Sequence, residues 1–298
     1  MSEIKSETTS VAVNSPQVSE FRRITRVMFS RWIVTVGAII IAILILVAIF
    51  APILTPYYPN ATDLKAMLQQ PSKEHPLGTD QLGRDLLCRI IFGSRISLLV
   101  GIVGVTIAGA IGIGLGLIAG YFGGWINNII MRFIDALLAL PPLVLMLAIS
   151  AVLGGGLVNV LIALGIGMMP TYCRLMYAQT ISIKESDYIT AVHSIGAGHL
   201  RIMVKHLLPN AFPPLLVLVT VNLGTAIMME ASLSYLGIGI IPPTPSWGGM
   251  VNAGQSYLLD YPLLSFAPGI AILLVVLAFN MVGDGLRDAL DPRLRGMV

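Results

Sequence analysis

The sequence predicts an all-α integral membrane protein with six transmembrane helices. Three observations carry that expectation. Of the 298 residues, 56% are hydrophobic and 11% are charged, against about 25% charged in a soluble globular chain. Six stretches are long and apolar enough to cross a hydrocarbon core of about 30 Å, which takes about 20 residues of helix. None of them alternates apolar and polar residues as barrel strands do, and backbone groups in lipid must find partners within their own segment.

Residues 1–20 are mostly Ser, Thr, Glu and Val in no periodic order and read as a disordered stretch. They open a cytoplasmic N-terminal tail at 1–31. The first span is 32–54. Arg22, Arg23, Arg26 and Arg31 precede it as in a signal peptide, but the apolar run Ile33–Ile49 exceeds a signal core of about 7–15 residues and no small-x-small site follows. An uncleaved first helix is expected. Next comes an outer segment, 55–94, broken in its first half and approach by Pro52, Pro56, Pro59, Pro71 and Pro76. Residues 84–97 read as a short amphipathic helix leading into the second span, 95–120. There Ala108, Gly112, Gly116 and Gly120 recur every four residues and make one small-residue face for close helix packing. The remaining spans are 128–153, 157–178, 211–238 and 263–283. Between the last two lies an outer loop, 241–262, with Pro242, Pro243, Pro245, Trp247 and Tyr257, aromatics that suit a membrane interface.

Basic residues orient the bundle. With an inside N-terminus, the inside segments 1–31, 121–132, 174–210 and 284–298 carry 13 of the 18 Lys and Arg. The other five, Lys65, Lys73, Arg84, Arg89 and Arg95, share their segment with Asp63, Glu74, Asp80 and Asp85. Both termini are therefore expected in the cytoplasm. The organisation is a tail at 1–31, a first helix with outer segment at 32–94, a core at 95–283 and a cytoplasmic tail at 284–298.

The most informative inside loop is 181–210. It reads as two short helices. Ser186 or Asp187 is placed to cap the first, and Tyr188, Val192 and Ile195 share one face at helical spacing. Gly196 and Gly198 permit a sharp turn. Leu200–Leu208 forms the second helix, stopped by Pro209. At about 30 residues the loop is long for a simple connection, and an amphipathic helix ending in small residues is shaped to enter a partner's groove.

These residues resemble the EAA loop of ABC importer permeases, Glu-Ala-Ala, three residues, Gly, nine residues, Ile-x-Leu-Pro. The positions fall on Thr190-Ala191-Val192, Gly196 and His206-Leu207-Leu208-Pro209, with both spacings kept. Thr190 stands for the Glu, Val192 for the second Ala and His206 for the Ile. Three further segments resemble the oligopeptide/dipeptide/nickel group of these permeases: Leu77-Gly78-Thr79-Asp80-x-x-Gly83-Arg84-Asp85, Glu230–Gly237 with Pro242–Gly248, and Asn280-x-x-Gly283-Asp284-Gly285-Leu286-Arg287-Asp288-Ala289-Leu290-Asp291-Pro292. The bland reading of the first is a turn held by Asp80, Arg84 and Asp85 ion pairs. The resemblance implies a MetI-like ABC permease core of five helices with an added N-terminal helix, in a bacterial or archaeal plasma (inner) membrane. It implies a homologous second permease, two ATP-binding subunits that hold ATP and Mg, and an extracytoplasmic substrate-binding protein. The loop helix 187–199 would transmit ATPase closure to the spans, through Asp187, Tyr188, Thr190, Ala191, Gly196, Ala197, His206 and Pro209. Peptides are the implied substrate, with nickel or a metal–chelator complex as the alternative.

Other chemistry finds little support. A phosphate-cradling P-loop needs Gly before its Lys, and the five lysines follow Ile4, Leu64, Ser72, Ile183 and Val204. No cofactor is expected on this chain. A net charge of +3 is too weak to suggest nucleic acid. Cys88 and Cys173 form no Cys-x-x-Cys motif. His193, His199 and His206 are spaced too widely for a good metal site. A secondary carrier would show inverted repeats or midplane polar rows, and a membrane enzyme a polar constellation; neither pattern is present. Two acids stand in or near spans, where charge is costly. Asp135 has Arg132 three residues back as a local partner. Glu230 has no such neighbour. It either lines the passage or faces a subunit contact at the outer end of the fifth span.

Overall fold

The computed structural model describes residue 25 and residues 27–290, and among these every regular element is helical. The expected disordered stretch at 1–20 and the end of the C-terminal tail lie outside the described residues. Helix α1 (Trp32–Leu54) is apolar throughout. It turns Ile39, Ile43, Leu46 and Ile49 outward and buries Val34, Gly37, Ala48 and Ala51. Its seat is α10 (Leu263–Leu290). A Cβ on Gly37 would stand 2.9 Å from the Ala278 carbonyl oxygen, so the two backbones approach as only glycine allows. An Arg31–Asp288 ion pair at 2.5 Å ties the start of α1 to the same helix.

The expected amphipathic helix and second span are one helix, α2 (Leu86–Phe122), of 37 residues. At 1.5 Å per residue it is about 55 Å long, so part of it reaches beyond a hydrocarbon core of about 30 Å. That part carries the polar residues that make it look separate in the sequence. Asp85 caps it, accepting from Cys88 N at 2.6 Å. The small-residue face packs on α5 (Leu157–Lys184). A Cβ at Gly112 would meet Tyr172 Cβ at 2.7 Å, and one at Gly120 would meet Thr180 Cβ at 2.7 Å. Gly116 sits equally tightly between them, against the Cys173 carbonyl.

The expected third span, 128–153, is not one straight helix. It is α3 (Gly124–Leu138) and α4 (Pro142–Leu153), bent by 90° at the break. Pro141 and Pro142 lack N–H donors and push the preceding residue out of helical geometry. Alone, the 12 residues of α4 span only about 18 Å. Among the described residues five helices are long and apolar enough to cross a membrane, or six if the bent pair counts as one span.

The loop 181–210 contains α6 (Asp187–Ser194) and α7 (His199–Ile202). Contrary to expectation, Pro209 does not stop the second helix. A π turn, Met203–Leu207, leads directly into α8 (Leu208–Tyr235). A proline deprives the preceding turn of one hydrogen bond and crowds it with its ring, and a widened turn absorbs both. The result is a continuous rod from His199 to Tyr235. The loop 241–262 holds α9 (Trp247–Gly254). Trp247 is not an interfacial anchor. It is buried and donates from Nε1 to the Ile90 carbonyl at 3.0 Å, over Gly93.

Candidate functional site

The loop 181–210 forms a small packed unit at the ends of α2 and α5. Ile189, Ile202, Met203 and Leu207 from the loop join Leu117, Tyr121 and Met176 from the spans in one apolar cluster. Polar bonds fix the same joint. Lys184 Nζ donates to the Tyr121 carbonyl at 2.6 Å, near the end of α2. Tyr121 Oη shares a hydrogen bond with His199 Nδ1 at 2.7 Å. The joint therefore ties α6 and α7 to α2, α5 and α8 together.

The turn between α6 and α7 has a specific chemistry. Gly196 N–H donates to the His193 carbonyl at 3.0 Å, and Ala197 N–H to the Val192 carbonyl at 3.3 Å. That pair of bonds is the Schellman motif, with Gly196 in the left-handed position at φ +83°. Ala197 then packs against the same cluster as Val192. Ser186 occupies the N-cap position, but its hydroxyl donates to the Ile183 carbonyl and caps no N–H. Asp187 instead sits in the first turn, where a negative charge suits the helix dipole.

The two expected short helices meet at this turn, but the first ends at Ser194 and its inward face differs from the expected one. Ile189 is the buried residue and Val192 is half-buried; Tyr188 is 42% and Ile195 83% exposed. The Schellman turn swings Ile195 off the face. Tyr188 lies along the second helix, donating to the His206 carbonyl at 3.2 Å and accepting from Asn210 Nδ2 at 2.9 Å. Asp187, Thr190, Ala191, Gly196 and Pro209 are exposed or half-exposed, while Ala197 and His206 are half-buried. Sequence reasoning missed Leu200 and Val204, which are 71% and 49% exposed. Apolar residues on the outer side of a short amphipathic helix are the signal that could have found them. A groove of about 390 Å³ between Tyr121, Lys184, Thr190, His193 and His199 completes the surface.

This arrangement of spans and loop has known relatives. Residues 112–296 match the family described as binding-protein-dependent transport system inner membrane component. A dipeptide transport system permease protein, DppC of Alkalihalophilus pseudofirmus, is 44% identical over 93% of this chain and 91% of its own length. The chain belongs to this family of binding-protein-dependent permeases. Residues 19–71 match the N-terminal TM domain of oligopeptide transport permease C, which accounts for the added first helix. A glutathione transport system permease protein, GsiD of Pectobacterium atrosepticum, is 40% identical over 95% of this chain and 93% of its own. A chain of the inward-facing MetNI methionine ABC transporter superposes with a TM-score of 0.56 at 19% identity, covering 69% of this chain and 98% of that one. That likeness is one of fold, the MetI-like core. The permease is thus a multi-pass, non-enzymatic subunit of an ABC importer, of the oligopeptide/dipeptide C type.

The two membrane acids of this permease are not where sequence placed them. Asp135 pairs with Arg174 across the α3–α5 contact, not with Arg132. Helical spacing makes Arg132 a neighbour, but the tertiary contact brings a second arginine closer. Both members of the pair are about half exposed, at 53% and 46%. Glu230 is fully buried within its own chain, so its side chain presents nothing to a second permease here. Its Oε1 accepts from the Ser234 hydroxyl at 2.7 Å, and Ser234 Oγ accepts from Ile240 N at 3.0 Å. The acid therefore braces the exit of α8. Its other oxygen, Oε2, is buried with no partner among the described residues. The three loop histidines do not converge on a metal site. His199 bonds Tyr121, and His206 packs at 5.9 Å from the Tyr188 ring.

Proposed function

We propose that this permease imports peptides. The observation that carries the reading is 44% identity, nearly end to end, to a protein named for dipeptide transport. In this reading a homologous second permease completes the pathway, an extracytoplasmic binding protein delivers the peptide, and two ATPase subunits bind ATP with Mg on the cytoplasmic side. The chain resides in the plasma membrane with both ends inside. The ATPases grip the exposed side of α6, the Gly196 turn and Leu200. Because α7 runs without interruption into α8, rotation of the loop becomes rotation of a span. ATP and peptide then favour different conformations of the same bundle, and hydrolysis drives the cycle.

The test is uptake of a labelled dipeptide by the reconstituted importer. ATP-dependent accumulation that requires the binding protein is the expected result. Accumulation of nickel or a nickel chelate, with none of dipeptide, would overturn the peptide reading. Orientation has its own test, cysteine labelling from outside in a Cys-free chain. Positions 69 and 256 should react, and position 194 should not.

A further inference from the structure

The outer end of the permease holds a charged site that coupling does not use. Residues 77–85 fold into a tight turn around Asp80. Its Oδ1 accepts from Leu82 N at 2.9 Å and Arg84 N at 3.0 Å, and its Oδ2 from Arg84 Nε at 2.7 Å. Gly83 closes the turn at φ +70°, pressed against the Asp63 carbonyl where no Cβ would fit. One turn into α2, Arg89 gives Nη1 to the Pro59 carbonyl at 2.7 Å, with Nε 3.8 Å from the same Asp80 Oδ2. One carboxylate thus faces two guanidinium groups, and both arginines are buried, at 7% and 5% exposure. Asp85 does not make up the difference. Its oxygens go to His75 Nδ1 at 2.9 Å and to Cys88 N at 2.6 Å.

Arg84 is consequently half used. Its Nε serves Asp80, while Nη1 and Nη2 bond nothing among the described residues. Arg84 lines a cavity of about 160 Å³, shared with Asp80, Gln81, Arg89, Thr244 and Ser246. The Ser246 oxygen accepts from Gly249 N at 3.2 Å, so its proton is free to be donated. The Thr244 hydroxyl has no partner among the described residues. A buried guanidinium without full compensation is costly. What relieves it best is a planar anion that takes two parallel N–H bonds. Asp80 faces the same space, but its oxygens are taken by Leu82 N, Arg84 N and Arg84 Nε, and the Thr244 and Ser246 hydroxyls can donate as well as accept.

We propose that this cavity binds the free carboxylate of a peptide, with the terminal nitrogens of Arg84 as the fork and the Thr244 and Ser246 hydroxyls as further donors. The proposal rests on the peptide reading above and assigns one end of that substrate to an outer site on this chain.

The full chain in lipid nanodiscs, without its partners, supplies the test. Alanyl-alanine, alanyl-alanine amide and acetate are titrated by calorimetry. The free acid should bind, and the amide about tenfold more weakly or worse, since a lost charge-assisted bond is worth about that factor. Arg84→Lys keeps the charge but not the fork and should lose a similar factor. Thr244→Val lies outside the Asp80 turn and should weaken binding severalfold while the thermal midpoint stays unchanged. Equal binding of acid and amide, or wild-type binding by both variants, would overturn the proposal. If acetate binds in an Arg84-dependent way and the dipeptide does not, the peptide assignment fails while the anion cavity stands. If neither binds, the cavity assignment fails, whatever the uptake assay shows.

Discussion

Replacing Gly196 tests the coupling turn in a way that separates conformation from bulk. A Cβ built at this position meets nothing within 4 Å, so side-chain size is not the constraint. Backbone conformation is: φ is +83°, and a non-glycine residue in the left-handed region costs about 1–2 kcal/mol. Every 1.4 kcal/mol is a factor of about ten in an equilibrium, so the closed turn should lose roughly 5- to 30-fold in population against its opened form. Gly196→Ala and Gly196→Leu should therefore fall by similar amounts. Gly196→Asn should fall less, because Asn tolerates this region. Two assays read the effect. Amide exchange at Gly196 and Ala197, whose N–H groups make the Schellman bonds, should accelerate by that factor. Peptide-stimulated ATP hydrolysis by the reconstituted importer should drop while the chain still inserts and assembles. In amide exchange on the purified chain, a Leu variant far worse than Ala would refute the conformational origin and show a steric site. So would an Ala variant with unchanged exchange.

Packing sets three further outcomes. Gly116→Ala should lower the thermal midpoint of the purified chain, at a cost of about 1–3 kcal/mol for overpacking, because a Cβ there runs into α5; Gly114→Ala, on the open side, should be neutral or stabilising. Glu230→Gln keeps an acceptor for Ser234 and should assemble and transport nearly as the parent does. Glu230→Leu strands the Ser234 hydroxyl, at about 1–3 kcal/mol, and a normal midpoint for it would refute the bracing role. Arg174→Gln should shift the midpoint little, since a half-exposed pair is worth about 0–1 kcal/mol; a loss of several kcal/mol would show the pair to be buried in the assembly.

Spans are legible in the sequence because lipid imposes a length and a composition on each. The small-residue packing face of α2 is legible too, since glycines four apart have few other uses in an apolar helix, but that α5 covers it is not. The 90° break at Pro141–Pro142 is lost to hydropathy, which averages over both prolines of the expected third span. Pro209 reads as a stop because a proline commonly is one, and the π turn that carries the helix through it has no sequence signature of its own. Within the loop, spacing locates Gly196 and the frame around it. Helical periodicity misplaces Ile195 because that residue already belongs to the C-cap. Partners of the two acids depend on contacts between distant helices or around a turn. Neither the Asp135–Arg174 pair nor the Glu230–Ser234–Ile240 brace follows from i, i+3 or i, i+4 neighbours alone.

In the proposed importer, α6 and the Gly196 turn are the seat of the ATPase subunits. Single cysteines at Ala191 and Leu200, both exposed on that surface, are to be placed in a Cys-free chain and cross-linked in the assembled complex. A third cysteine at Leu236, just beyond the outer end of α8, serves as the comparison. Positions 191 and 200 should cross-link to an ATPase subunit, with yields that change when ATP is added, and position 236 should not. Cross-linking of position 236 to an ATPase, or none from 191 and 200 in a complex that hydrolyses ATP, would contradict that seat.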